Sequence, residues 1–148
     1  CLVGSEMCIR DRAWTSLCGG IALANGGLGA VHGLAGVIGG LTGAAHGAIC
    51  GALLGPVLDM NRRLTGDMPR LARLRADLAP ALACPPDAVP VALADWARAQ
   101  GLPGLAALGL DPARHQAVAE AALTSSSMRG NPVTPGIGDL VAALSAAS

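Results

Sequence analysis

The chain contains no phenylalanine, tyrosine or lysine, and its aromatic side chains are limited to Trp14 and Trp96. Charged residues make up only 14% of the 148 residues and sum to zero net charge, so no strongly basic surface is expected. Nucleic-acid binding relies on clustered positive charge and on aromatic rings that stack on bases. We therefore expect no nucleic-acid partner. All ten basic residues are arginine, a usage typical of a GC-rich genome.

Cysteine is present but follows no recognisable spacing. The cysteines are five in number and include no C-x-x-C pair: Cys1, Cys8, Cys18, Cys50 and Cys84. An odd number without a pattern is typical of reduced thiols that fill small sites in a cytoplasmic protein. We therefore expect free thiols and a cytoplasmic location.

The first twelve residues differ in character from the rest of the chain. Segment 1–12 has no initiator methionine and resembles the translation of a sequencing adapter. We expect it to be non-native and exclude it from the fold argument, as an expression tag would be excluded. The alternative is a native strand or a remnant of a signal sequence.

No charged residue occurs between Ala13 and Leu58, a run of 46 residues that exceeds the length of one membrane span. Two interpretations compete. One is a pair of helices buried in the centre of a larger enzyme, and the other is a membrane hairpin. Glycines at intervals of four suit close helix packing in lipid, and they are Gly39, Gly43, Gly47, Gly51 and Gly55.

The details of this run favour buried helices over a membrane hairpin. Polar residues such as Asn25 and Thr42 are spread through the run rather than placed at its ends. Alanine and glycine dominate it, and they gain less from hydrocarbon than leucine or phenylalanine does. Pro56 would bend a second span. We therefore expect no membrane partner.

The rest of the chain predicts amphipathic helices. The first helix would be capped by Thr65 or Asp67, the second would span Val89–Gln100, and the third would start at Asp111. A loop over 125–135 would then lead to a last helix over Asp139–Ala147. In the first of these helices Arg70, Arg73 and Arg75 are expected to face solvent. Alanine and leucine favour helix, and no alternating strand pattern occurs. The predicted fold class is all-α, a multi-helix bundle.

Two histidines, each followed by glycine, are the candidates for a metal site. On one continuous helix His32 and His46 would lie about 21 Å apart. If the glycines between them reverse the chain, both imidazoles can face one ion. The alternative is a pair of structural histidines in an apolar run, because a catalytic site needs at least three protein ligands. His115, beside Arg114, is expected on a solvent-exposed helix face and not as a ligand.

A wider set of motifs surrounds these histidines. The segment Asn25–Ala35 has the pattern N-x-x-L-G-x-x-H-G-x-A, and a glycine pair, a second His-Gly, an asparagine and a later Asn-Pro follow. The followers are Gly39-Gly40, His46-Gly47, Asn61 and Asn131-Pro132. Together they resemble the iron-containing (group III) alcohol dehydrogenase family. The resemblance is dense around the histidines and loose between Arg63 and Leu110.

The resemblance implies a fold and a site. The fold would be the C-terminal helical domain of the dehydroquinate synthase-like/iron alcohol dehydrogenase fold. Residues 13–148 would then be a partial C-terminal helical metal-binding domain without its nucleotide-binding domain. The resemblance implies that His32 and His46 are ligands of Fe²⁺ or Zn²⁺, and that an upstream aspartate and histidine complete the set.

The resemblance also implies an activity. The full-length protein would be an NAD- or NADP-dependent oxidoreductase that interconverts small-molecule alcohols with aldehydes or ketones, with the metal as Lewis acid. A homodimer is expected for the full-length protein, and the isolated chain is expected to be inactive.

The chain departs from the family pattern at three positions. Gly36 and Val37 stand where the family often has histidine and proline, and Ala45 stands where proline usually precedes the second ligand. The departures leave the subclass open, and three alternatives remain. They are a maleylacetate reductase-like member of the same superfamily, a helical scaffold without catalysis, and a glycine-zipper membrane hairpin without enzymatic activity.

Overall fold

The computed structural model describes residues 6–66 and 68–148, and within these ranges the chain forms helices, turns and loops but no strand. The all-α prediction is confirmed. Seven α-helices occur in the described residues: α1 (Glu6–Gly26), α2 (Ala30–Thr42), α3 (His46–Thr65), α4 (Pro69–Leu78), α5 (Val89–Ala99), α6 (His115–Leu123) and α7 (Ile137–Ala146). Short 3₁₀ turns occur at Pro86–Ala88, Pro112–Arg114 and Ser126–Gly130.

The larger hydrophobic core lies where α2 and α3 pack against each other and against α6 and α7. Aliphatic side chains fill it, including the completely buried Leu34 and Ile38 of α2 and Leu53 of α3. Complete burial of a side chain of this size contributes about 1.5–3 kcal/mol. Because aromatic residues are nearly absent from the sequence, leucine, isoleucine and alanine fill the core instead.

The uncharged run folds as three helices rather than the expected two. Gly27 takes a positive φ of 69°, and the axis bends by 102° between Cys8–Gly26 and Ala30–Thr42. The Asn25–Ala35 motif is therefore broken between α1 and α2. Every residue from Ala13 to Gly26 is exposed in this chain. Burial of this part of the run inside a larger enzyme stays a prediction.

The helices of the described residues bear on the membrane-hairpin alternative. No single helix there is both long and apolar enough to cross a membrane. The pair Cys8–Gly26 and Ala30–Thr42 meets the criteria of length and composition when taken together, but it carries the 102° bend. The absence of a membrane partner stays a prediction.

The glycines spaced by four do not form one continuous stripe, because Gly43 ends α2. Gly55 instead brings α3 close to α5. A Cβ at this position would lie 2.5 Å from the carbonyl oxygen of Pro90 and 3.0 Å from Cβ of Ala94. The close glycine packing therefore occurs inside the helical fold.

Several local predictions near α4 need correction. Arg75 is buried rather than solvent-facing, since its side chain is only 5% exposed and its Nη1 donates to Asp87 Oδ1 at 2.7 Å. Thr65 is the last residue of α3 and does not cap α4, which begins at Pro69. The alternative cap, Asp67, lies outside the described residues. The predicted loop over 125–135 contains the 3₁₀ turn Ser126–Gly130.

The described part of the N-terminal segment is helical, and the cysteines differ in their bonding state. α1 begins at Glu6 and continues through residue 12 without a break, and the non-native origin of 1–12 stays a prediction. Cys18, Cys50 and Cys84 are free thiols, as expected. Cys8 is disulfide-bonded, so the expectation of a reduced thiol is wrong there.

Replacement of Gly55 by alanine should destabilise the fold. The new methyl group would overlap backbone atoms of α5, and such overpacking costs about 1–3 kcal/mol. Gly36→Ala is the matched control, because a Cβ at this exposed helical position meets nothing within 4 Å. It should gain up to about 1 kcal/mol from helix propensity. Urea unfolding measures both, and equal stabilities for the two variants would contradict this packing.

Candidate metal centre

A tight reversal joins α2 to α3 and sets the geometry of the site. Gly43 takes the left-handed conformation with φ 70° and ψ 5°, and its N–H donates to the Gly39 carbonyl at 2.9 Å. Glycine adopts this conformation without the steric cost that a Cβ would bring. The Thr42 hydroxyl then accepts from the Ala44 N–H at 3.2 Å. The chain therefore leaves α2 and enters α3 in the opposite sense within three residues.

The residue before the second histidine has a backbone conformation that suits proline. Ala45 has φ −60° and ψ 124°, and a proline ring fixes φ near −65°. The departure from the family's proline therefore leaves the entry to α3 in the conformation that proline would impose.

The reversal brings the two histidines together. His32 lies in the first turn of α2, His46 is the first residue of α3, and their ring centroids are 5.4 Å apart with a tilt of 48°. His32 is half-buried and His46 is exposed. The structure thus supplies the helix–turn–helix geometry that the metal hypothesis requires. The role of either residue as a ligand stays a prediction.

A third donor, Cys50, lies beside the histidines. Its Sγ is 3.4 Å from Nε2 of His46, and one ligand atom from each of Cys50, His46 and His32 lies within 4.8 Å of the others. Burial raises the pKa of the Cys50 thiol above its ordinary value. Sequence reasoning treated Cys50 as a small core residue. The signal for it was the four-residue spacing from His46, which places both side chains on one helix face.

An open cleft of about 360 Å³ borders His32 and Cys50. Its other walls are the N-terminus of α2, the middle of α3 and the segment after the 3₁₀ turn Ser126–Gly130: Gly29, Ala30, Val31, Leu54, Val57, Asn61, Gly130, Asn131 and Pro132. The cleft is therefore mostly apolar. Its polar side chains are the imidazole of His32, the thiol of Cys50 and the amides of Asn61 and Asn131.

Asn61 and Asn131 form a reciprocal amide pair, called the asparagine clasp below. Nδ2 of Asn131 donates to Oδ1 of Asn61 at 2.9 Å, and Nδ2 of Asn61 donates to Oδ1 of Asn131 at 3.2 Å. Asn131 also accepts from the Ala30 N–H at 3.2 Å and donates to the Val133 carbonyl at 2.7 Å. The clasp thus connects α3, the N-terminus of α2 and the segment after Gly130.

Two glycines permit this arrangement. A Cβ on Gly29 would lie 3.2 Å from Oδ1 of Asn131, and a Cβ on Gly130 would collide with the carbonyl oxygen of Leu28. The backbones of the α1–α2 link and of the 3₁₀ turn therefore approach each other more closely than other residues would allow. Both positions lie on the wall of the cleft that holds His32.

The position of the missing family histidine is open. Gly36 is exposed one turn after His32 on α2, and a Cβ there would meet nothing within 4 Å. The surrounding structure therefore has room for a side chain at this position, but glycine contributes none. Val37, which stands in place of the family's proline, is half-buried against the core.

The third histidine is buried, so the prediction of a solvent-exposed face is wrong for His115. Only 4% of the residue is exposed, and its Nδ1 and Nε2 lie 3.3 and 3.4 Å from the hydroxyls of Ser145 and Ser148. Burial lowers the pKa of the imidazole, and the charge of Asp111 opposes that change. His115 begins α6 and serves the packing of α6 on α7, apart from the candidate metal centre.

The fold and the paired histidines define an all-α domain with a candidate metal cleft at a helix reversal. A family model described as Fe-containing alcohol dehydrogenase family, C-terminal, matches residues 5–148. The chain therefore belongs to the iron-containing alcohol dehydrogenase family and corresponds to its C-terminal region, which confirms the resemblance seen in the sequence. A comparison with curated proteins gave no match.

Loss of the asparagine clasp should weaken the fold around the cleft. Asn131→Ala removes the reciprocal amide bonds and leaves the N–H of the buried Ala30 without its acceptor. Buried groups left unsatisfied cost about 1–3 kcal/mol each. Asn25→Ala is the control, because Asn25 is exposed and bonds only within its own helix. Urea unfolding should separate the two variants, and equal losses of stability would argue against the clasp.

Stability should depend on pH through His115. Because burial lowers its pKa in the folded state, the unfolded chain takes up a proton first as the pH falls. The free energy of unfolding should therefore decrease as the pH drops below about 6.5. His115→Gln should flatten this dependence in urea titrations between about pH 7 and pH 5. His46→Gln, at an exposed position, should retain it, and an unchanged slope in His115→Gln would refute the assignment.

Proposed function

We propose that the chain is the C-terminal helical part of a metal-dependent oxidoreductase that interconverts alcohols with aldehydes or ketones, with NAD or NADP as hydride carrier. The family shown above is one of oxidoreductases. The observation that carries the proposal is the approach of His32 and His46 to 5.4 Å between ring centroids, next to an apolar cleft.

The donor types present suit the metals that this proposal requires. Neutral imidazole nitrogen is a common ligand for Fe²⁺ and Zn²⁺. His32 and His46 would hold the ion from two different helices. No carboxylate is among the described residues that line the cleft. The remaining family ligands, an aspartate and a histidine, would come from the upstream part of the full-length protein.

The cleft residues have definable tasks in such a reaction. When bound, the metal supplies Lewis-acid polarisation of the substrate oxygen, which favours hydride transfer. The asparagine clasp holds the N-terminus of α2, and with it His32, in a fixed position relative to α3. The apolar side chains of Val31, Leu54 and Val57 restrict water at the reacting end of a small alcohol.

Gly36 bears on the subclass of the enzyme. The family often has a histidine at this position, and Gly36 offers no group that can bind or release a proton. A proton relay through this position is therefore absent in this chain. Proton transfer would use water or a residue from the upstream domain, and this favours a family member with a modified relay, such as a maleylacetate reductase-like enzyme.

The ligand assignment is tested in the full-length enzyme that contains this domain. His32→Ala and His46→Ala should each abolish stoichiometric iron or zinc, measured by metal analysis, together with NAD(P)-linked alcohol oxidation. His115→Gln is the matched control and should retain metal and rate, because His115 lies in the α6–α7 packing. Retention of metal and activity in either alanine variant would refute the assignment.

A further inference from the structure

We propose that Cys50 is a third metal ligand, so that the chain by itself offers two imidazoles and one thiolate to a borderline or soft divalent cation such as Zn²⁺, Co²⁺ or Cd²⁺. The proposal rests on the metal-binding role proposed above for His32 and His46. It adds a sulfur donor to the two nitrogen donors, and it changes the metal that the site should prefer.

The first support is the pairing of His46 and Cys50 on α3. Residues four positions apart lie on the same face of a helix, and Nε2 of His46 and Sγ of Cys50 are 3.4 Å apart. A tetrahedral zinc ion with bonds of about 2.1 Å to nitrogen and 2.3 Å to sulfur requires these donors to lie about 3.5 Å apart. The pair therefore has nearly the separation that one shared ion demands.

The second support is the position of His32 on the neighbouring helix. Its ligand atom lies within 4.8 Å of both other donors. A side-chain movement on the order of 1 Å would bring all three to tetrahedral separation. His32 is half-buried at the edge of the open cleft, so its ring has room for this adjustment.

The third support is the gradient of exposure across the cluster. His32 and Cys50 are half-buried and His46 is exposed, so an ion among them would have protein on one side and solvent on the other. Three protein ligands with an open fourth position are the arrangement of catalytic zinc sites, including those with mixed sulfur and nitrogen donors. In the 148-residue chain by itself, the cluster therefore leaves a position for water, and this side of the ion is where donors from the upstream part would approach in the full-length protein.

The sulfur donor determines the selectivity of the site. Thiolate favours zinc and other soft or borderline cations, whereas Mg²⁺ and Mn²⁺ prefer oxygen ligands. On binding, the sulfur–metal bond replaces the S–H bond and the proton passes to solvent. Cys50 should therefore bias the chain towards Zn²⁺ and Cd²⁺, and Mn²⁺ should bind weakly.

The test uses Co²⁺ as a spectroscopic substitute for Zn²⁺ in the 148-residue chain under thiol-free reducing conditions. The unmodified chain should show a near-ultraviolet sulfur-to-cobalt charge-transfer band. Cys50→Ser should lose this band and bind Zn²⁺ more weakly, by more than the roughly 10- to 100-fold that loss of an outer-shell partner costs. Cys84→Ser is the matched control, because Cys84 is a free, half-buried thiol in a different cluster.

The outcomes separate this inference from the proposed function. Co²⁺ binding that requires His46 but shows no charge-transfer band would overturn the role of Cys50 and leave the histidine assignment in place. A band that persists in Cys50→Ser would likewise overturn it. A 148-residue chain that binds no Co²⁺ would overturn the three-donor site proposed here, whereas the histidine assignment is decided separately by metal analysis of the full-length His32→Ala and His46→Ala variants. The band of the unmodified chain requires no substitution, so poor folding of a variant does not remove the test.

Discussion

The reversal of the chain at Gly43 is the constraint on which the candidate site depends. On a continuous helix the two histidines would be about 21 Å apart, and the left-handed glycine reduces the separation of their rings to 5.4 Å. The same reversal lays α3 against α2, so that Leu34 and Leu53 enter one core. The site and the core thus share a single backbone feature.

The asparagine clasp holds the other end of the cleft. Asn61 and Asn131 are 70 positions apart in the chain, yet their amides pair, and the second of them also accepts from the N-terminus of α2. The helix that carries His32 is therefore fixed at its start by the clasp and at its end by Gly43. This double attachment is a preorganised setting for ligands, because neither end of α2 can shift without loss of hydrogen bonds.

Sequence patterns predicted part of this arrangement and missed the rest. Helix periodicity located α5, α6 and α7 to within a few residues, and the motifs around the histidines indicated the family. Local patterns failed at Arg75 and His115, which were expected on solvent-exposed helix faces but are buried in the fold. Burial depends on which helices pack together, and neither Asp87 nor Ser148 could be identified as a partner from spacing alone.

The sequence by itself determined the helical class, the family and the pair of histidines, because these follow from composition, periodicity and short motifs that residues near in the chain define. Only the tertiary structure decided that Cys50 joins the histidines and that Asn61 meets Asn131. It also decided that residues 13–26 are exposed while one face of α2 is buried, although both belong to one uncharged run. The physical reason is that hydrogen bonds and burial are fixed by the packing of distant segments, which local sequence does not record.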